Sequence, residues 1–245
     1  MSDPHHYPQR AFSLPPDATE IVLLRHGASA HAVRGESFPL VNGQGDPPLA
    51  PEGVEQAADA AERLAREELA AIFVTPLQRT SQTAAPVAAA HGLEPTVVPD
   101  LVEVHLGEWE GGEYRIRAHE GDPLIRRVIE EEDWALIPGA ESMDDVAARA
   151  RAGIEHIVAT VGSGVSALAV LHGGIIGELC RQATGGRPFA FIHADNCSIS
   201  RIVVFADGRW LLRSFNDISH LAAVGADDTV AVRADAAAGG PQHSA

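Results

Sequence analysis

Arg25, His26 and Gly27 stand at the end of an apolar run, Ile21 through Leu24. A short run of this kind predicts a buried strand. A strand that runs out into Arg-His-Gly delivers a guanidinium and an imidazole to the edge of a sheet. In open α/β sheets that carboxyl edge is where ligands bind, and Gly27 permits a sharp turn or a close backbone approach. Far along the chain a second apolar run, Ala167 through Leu171, ends in the same manner, in His172, Gly173 and Gly174. Parallel strands present their carboxyl ends at one edge, so both histidines are predicted to face one pocket. A third junction, Thr75 to Thr80, puts Arg79 in the first turn of a helix, where the dipole disfavours a cation. An anion held between Arg25, Arg79 and the helix end relieves that conflict, and phosphate matches guanidinium forks. Glu103 can bring a carboxyl group to the same edge. Taken singly, these residues also admit ordinary readings: a strand-end turn, a surface arginine, a solvated loop carboxylate.

The elements that must position these groups can be read from the pattern around them. Pro51 and Glu52 open a helix that carries Leu64 and Leu69 on its later turns,. Residues 71–75 predict a second strand, 78–90 a helix and 95–98 a third strand. Ser142 caps a helix reaching Val158, with Asp144 and Asp145 in its favoured first turn,. Residues 201–205 and 210–213 predict a hairpin around Ala206, Asp207 and Gly208,. Strands alternating with helices predict an α/β fold, a three-layer α/β/α sandwich with a mainly parallel central sheet. Residues 28–51 read as a long functional loop. Residues 108–140, irregular and carrying Trp109, Arg115, Arg126, Arg127 and Trp134, read as a helical insertion over the sheet edge. Residues 1–18, with four prolines, are expected to form a flexible leader, 19–221 the folded domain and 222–245 a disordered tail,.

Composition narrows the function. The 245 residues carry a net charge of −16, and all eighteen basic residues are arginines. Such a chain is not expected to bind nucleic acid or anionic membrane non-specifically, yet converging arginines can hold one small anion. Two cysteines, Cys180 and Cys197, make no disulfide framework and fit a reducing compartment,. The amino-terminal residues lack the apolar core of a signal peptide, and no apolar run approaches membrane-spanning length. A cytoplasmic protein is expected. Twelve histidines invite a metal reading, but no His-Glu-x-x-His pair occurs,. Gly173, Gly174 and Gly177 lack dinucleotide-binding spacing, and no Gly-x-Ser-x-Gly elbow supports a serine hydrolase.

Arg25-His26-Gly27, the segment from Thr75 to Thr80, Glu103 with Leu106 to Gly111, and His172-Gly173-Gly174 occur in the order found in the histidine phosphatase superfamily. The chain resembles its phosphoglycerate mutase-like branch from about residue 20 to 204. Smaller echoes are Pro48-Leu49, residues 138–142 and residues 196–199. The resemblance implies a metal-independent phosphomonoesterase of the histidine acid phosphatase type, with no cofactor, a small phosphorylated substrate and inorganic phosphate as product. It implies that His26 is the nucleophile, forming a phosphohistidine. Arg25, Arg79 and His172 would hold the non-bridging oxygens, with Gly173 and Ser29 beside them, and Glu103 would be the general acid and base. Where the family has a Glu and then an Asn after Arg-His-Gly, this chain has Ala28 and Ala32; His31 and Arg34 read first as ordinary loop residues and second as substitutes. Mutases add a lysine and an arginine pair for the substrate carboxylate. This chain has no lysine, Arg126 and Arg127 lie in unrelated sequence, and the glycine-rich stretch from Gly35 to Gly45 suggests an open pocket. Hydrolysis is therefore expected, with phosphoglycerate mutase activity as the alternative and a catalytically silent phosphate-binding module after it.

Overall fold

The computed structural model describes residues 7–221, so the expected tail and the first six residues of the expected leader lie outside the described residues. Its centre is strand β1 (Ala18–Arg25), whose apolar positions are buried in alternation on two faces. Ile21 and Leu23 join one core cluster, Val22 and Leu24 the other. That division follows from the two-residue period of a strand. Both faces are apolar because both are covered.

The chain continues through β2 (Leu40–Val41) and β3 (Gln44–Gly45) to α1 (Pro51–Leu64), β4 (Leu69–Val74), α2 (Gln78–His91) and β5 (Thr96–Val97). Two short helices follow, α3 (Glu113–Glu120) and α4 (Pro123–Glu131). The last elements are α5 (Met143–Val161), β6 (Ser166–Leu171), α6 (Gly173–Thr184), β7 (Ile199–Phe205) and β8 (Trp210–Asp217). The main sheet has six strands in the order β5-β4-β6-β1-β7-β8. The first four are mutually parallel, and β7 and β8 run antiparallel at one side. Helices α1 and α2 cover one face, α5 and α6 the other, which gives the three-layer α/β/α sandwich. Among the described residues no helix is long and apolar enough to cross a membrane.

Local sequence explains the helices that carry the scaffold. Pro51 and Glu52 start α1, and its buried residues Gly53, Ala57, Ala60, Ala61 and Leu64 form one stripe at spacings of three and four,. Ser142 caps α5 by accepting a hydrogen bond from the Asp145 amide at 3.1 Å,. Gly27 meets α1 so closely that an added Cβ would lie 2.4 Å from the Gly53 carbonyl oxygen. Two glycines at this crossing let the loop after β1 lie against the helix.

Three expectations are corrected. Leu69 opens β4 and is not part of α1, because the helix stops at Leu64. The third strand is only two residues long, at the sheet edge with both residues exposed. The loop after β1 is not structureless: residues 40–45 fold into a small antiparallel pair, and Gly43 at φ +86° makes its turn. The segment after Glu103 contains two helices, of which only α4 is amphipathic enough in sequence to be anticipated.

Candidate active site

The register of the sheet brings the two histidines together. Arg25 of β1 pairs with Leu171 of β6, and the His26 amide donates to the Leu171 carbonyl at 2.9 Å. The next residues, His26 and His172, therefore emerge side by side, with ring centroids 5.3 Å apart at an interplanar angle of 63°. His26 is 4% exposed and His172 fully buried. The Arg-His-Gly backbone is tied down along its length. Ser198 accepts from the Arg25 amide at 3.1 Å, Asn196 Nδ2 donates to the His26 carbonyl at 2.9 Å, and the Gly27 amide donates to Thr83 Oγ1 at 3.0 Å.

The tautomer of His26 follows from its neighbours. Its Nδ1 donates to the Gly27 carbonyl, 2.7 Å away. The other nitrogen, Nε2, accepts from Arg79 Nε at 3.2 Å, so it carries the lone pair. Burial, then repulsion from the Arg79 and Arg25 guanidiniums, holds this imidazole well below its usual proton affinity,. His172 is depressed for the same reasons, burial first and Arg79 next. Both rings are neutral at physiological pH.

Arg79 is 7% exposed, and burial lowers its pKa to about 10. The helix end from which it projects is served by Asp46, whose Oδ1 accepts from the Gln78 amide at 2.8 Å. A carboxylate from the loop after β1 thus answers the dipole conflict noted in the sequence, while Arg79 reaches back to His26 and the Gly45 carbonyl (2.9 Å). Arg25 donates through Nη1 to the Ala194 carbonyl, and its buried Nε has no partner. His172 shares a hydrogen bond with Thr75 Oγ1 at 2.9 Å, and its Nδ1 also lacks a partner. Unmet buried donors are costly. Arg25 Nε is such a donor, and His172 Nδ1 is one in the tautomer whose Nε2 accepts from Thr75 Oγ1.

Glu103 lies on the opposite wall. Its Oε1 accepts from the Val104 amide at 2.9 Å and its Oε2 from the Gly174 amide at 3.3 Å. An added Cβ on Gly174 would sit 2.6 Å from Oε1, so the glycine is what admits the carboxylate here. The backbone under Glu103 is held by Arg149 of α5, which donates to the carbonyls of Asp100 (3.0 Å), Val102 and Glu103 (3.0 Å). Arg149 is itself oriented by Glu141, with Nε to Oε1 at 2.6 Å. Neither residue has a sequence signal beyond a plain i-to-i+8 charge pair.

These groups border one cavity of about 390 Å³, a size suited to a small metabolite,. Arg25, His26, Arg79, Glu103 and Gly173 line it; His172 lies beneath. Ser29 does not line it: the hydroxyl is buried and accepts from Arg115 Nη2 at 2.7 Å. His31 and Arg34, considered as substitutes for a missing loop ligand, are spent on surface pairs with Glu52 and Glu120. Arg126 and Arg127 are exposed on α4 away from the cavity, and Arg127 pairs with Glu131. The stretch from Gly35 to Gly45 is less open than expected, since Phe38, Gln44 and Gly45 form part of the wall. Gln44, Asp46 and Arg149 have no reading from the sequence as site-forming, while Arg115 is read there only as part of the insertion and Thr75 and Asn196 only as parts of their segments. They act through backbone and side-chain contacts that no linear spacing encodes.

The histidine phosphatase superfamily (branch 1) profile matches residues 21–218. A metal-independent phosphoserine phosphatase of Arabidopsis thaliana is 31% identical over 85% of this chain and 86% of its own. A probable phosphoglycerate mutase of Photorhabdus laumondii is 32% identical over 82% and 94% respectively. The structure of a mycobacterial glucosyl-3-phosphoglycerate phosphatase superposes with a TM-score of 0.67 at 29% identity, covering 81% of this chain and 99% of that one. The chain spans about half the length (55%) of mycobacterial relatives with which it shares 35% identity, one of them named a bifunctional protein. Matched over most of its length, and at over 30% identity to relatives it nearly spans, the chain belongs to the histidine phosphatase superfamily.

Proposed function

We propose that the protein hydrolyses small phosphate monoesters through a phosphohistidine on His26. The observation that carries this reading is the state of the His26 ring. It is neutral, its Nδ1 proton is committed to the Gly27 carbonyl, and its Nε2 lone pair faces the guanidinium of Arg79. A lone pair directed at a cation is directed at the place a phosphoryl group takes up.

In the first half-reaction Nε2 forms a bond to phosphorus as the bond to the ester oxygen breaks. Glu103 gives that oxygen its proton, and the alcohol leaves. Arg25 Nε and, with Nε2 of His172 accepting from Thr75 Oγ1, the protonated Nδ1 of His172 bond two of the non-bridging oxygens, and Arg79 the third,. In the second half-reaction water attacks phosphorus, the Glu103 carboxylate takes its proton, and the P–N bond breaks to release phosphate and neutral His26. Water is favoured over a sugar-acid hydroxyl as acceptor because, among the described residues, the wall on the Glu103 side supplies Trp109, Tyr114 and one arginine, Arg115, and no lysine with an arginine pair for a carboxylate. The substrate is a soluble phosphate ester, and the inorganic phosphate is released into solution.

The test is turnover of p-nitrophenyl phosphate and of 3-phosphoglycerate with and without 2,3-bisphosphoglycerate. Phosphate release from both esters is expected. Conversion of 3- to 2-phosphoglycerate outrunning phosphate release would reassign the enzyme as a mutase, and no turnover of any ester would leave a binding module.

A further inference from the structure

Arg115, in the first turn of α3, borders the cavity together with Arg25, Arg79 and His26. Its guanidinium is fixed from the loop after β1: Nη2 donates to Ser29 Oγ at 2.7 Å and Nη1 to the Ala30 carbonyl at 3.0 Å. Its Cζ lies 5.9 Å from the centre of the Phe38 ring. None of these partners is charged, and among the described residues no carboxylate lies within ion-pair distance of it. Arg117, one turn face away, shows the ordinary alternative: it pairs with both Glu113 and Asp122 on the surface.

The charge of Arg115 reaches the reacting groups. Its field lowers the proton affinity of His26 and of Arg79, while burial and then the charge of Arg25 lower its own. Arg115 thus repels both Arg25 and Arg79 beside one neutral imidazole, with Glu103 offsetting the charge of Arg25 and Arg79. An anion with several oxygens relieves such an arrangement. The loop itself brings no charged side chain to the cavity, since His31 and Arg34 are paired on the surface. What it brings is smallness. An added Cβ on Gly112, at the start of α3, would lie 3.1 Å from Ala32 Cβ and 3.1 Å from Phe38 Cε2. The start of α3 therefore packs directly on Ala32 and Phe38, three residues before Arg115.

We propose that Arg115 is a third guanidinium ligand of the phosphoryl group, supplied by α3 because the loop after β1 supplies none. The inference rests on the phosphatase reading for its consequence in turnover, but not for its consequence in anion binding. Ser29 acts as a positioning residue for this ligand.

The test combines calorimetric titration with inorganic phosphate and steady-state kinetics on p-nitrophenyl phosphate and 3-phosphoglycerate. Arg115→Met should weaken phosphate binding about 10- to 100-fold and lower kcat/KM by a similar factor on both esters, because a charge-assisted hydrogen bond is lost. Arg115→Lys should recover part of each loss. Ser29→Ala, which leaves the charge but removes one of its two hydrogen bonds, should weaken phosphate binding about threefold,. If Arg115→Met fails to fold, the other two variants decide: wild-type phosphate affinity in both would overturn the assignment. Unchanged phosphate affinity in folded Arg115→Met would overturn it too. So would a loss confined to 3-phosphoglycerate, which would assign Arg115 to the substrate carboxylate. Should the wild-type protein hydrolyse neither ester, Arg115-dependent phosphate binding would still be measurable, so failure of the phosphatase reading and failure of this one are distinguishable.

Discussion

The carboxyl ends of β1 and β6 face the segment from Val102 to Glu141 across one cavity, and the two sides are held in different ways. On the sheet side, His26 and His172 are fixed by strand register, and almost every contact beneath them is main-chain or fully buried. On the other side, Glu103 sits on irregular backbone and Arg115 in the first turn of a short helix, and a few side-chain contacts hold them: Arg149 and Gln44 on the Glu103 carbonyl, Ser29 and the Ala30 carbonyl on Arg115. The sheet side keeps its imidazoles neutral because burial and cations act on them together. The opposite side stays partly open, which suits the proton exchange proposed for Glu103.

If that division of labour holds, substitutions on the two sides should differ in kind. Glu103→Gln should leave the fold intact and reduce hydrolysis of alkyl phosphates on the order of 10²- to 10⁴-fold, with a much smaller loss on p-nitrophenyl phosphate, whose leaving group needs no proton. Comparable losses on the two substrates would move the acid role elsewhere. Glu110 is a poor successor, because its carboxylate already accepts from the Gly45 and Leu106 amides at 2.8 Å each.

The sheet side should reveal itself through pH. His26 and His172 both bind protons less readily in the folded protein than in the unfolded chain, where an imidazole titrates near 6.5,. Below that pH the unfolded chain takes up protons that the folded one refuses, so stability falls as pH falls. Above it, both states are neutral and the effect vanishes. The slope should approach about 1.4 kcal/mol per pH unit for each ring, about 2.7 for the two. Urea titrations between pH 5 and 8 would measure it, and His26→Ala should remove roughly half. A flat profile would mean the rings are not buried as neutral groups.

The smallest expected effect is on the staple under Glu103. Arg149→Met should lower stability by about 2 kcal/mol and slow alkyl phosphate hydrolysis about tenfold, with less effect on p-nitrophenyl phosphate because the residue acts through Glu103. A uniform loss on both substrates would indicate general loosening instead.

The same contrast explains what could be read from the sequence. The strand ending in Arg25 and His26 and the strand ending in His172 are visible as apolar runs, and parallel pairing alone brings their ends together. The three-layer arrangement follows from alternating strands and helices for the same reason. The walls were harder. Nothing in the spacing shows that residues 40–45 pair with each other, that Asp46 caps α2, or that Arg149 reaches back to residue 103 from α5. The helix-dipole conflict at Arg79 was a sound signal of a counter-charge, but the sequence could not say that a carboxylate thirty-three residues away would meet it. Arg126 and Arg127 stand out in the sequence as a pair, whereas Arg115 carries no motif; its contacts with Ser29 and the Ala30 carbonyl fix it at the cavity.

The central claim is that His26 carries the phosphoryl group between the two half-reactions, and trapping that group tests it most directly. Enzyme mixed with excess p-nitrophenyl phosphate, quenched in alkali and digested should yield a phosphorylated peptide containing His26. The adduct should be lost on acidification and absent from His26→Ala, which should also lose essentially all activity while keeping its fold. A phosphoryl adduct on His172, or a His26→Ala protein that still turns over at near the wild-type rate, would contradict it.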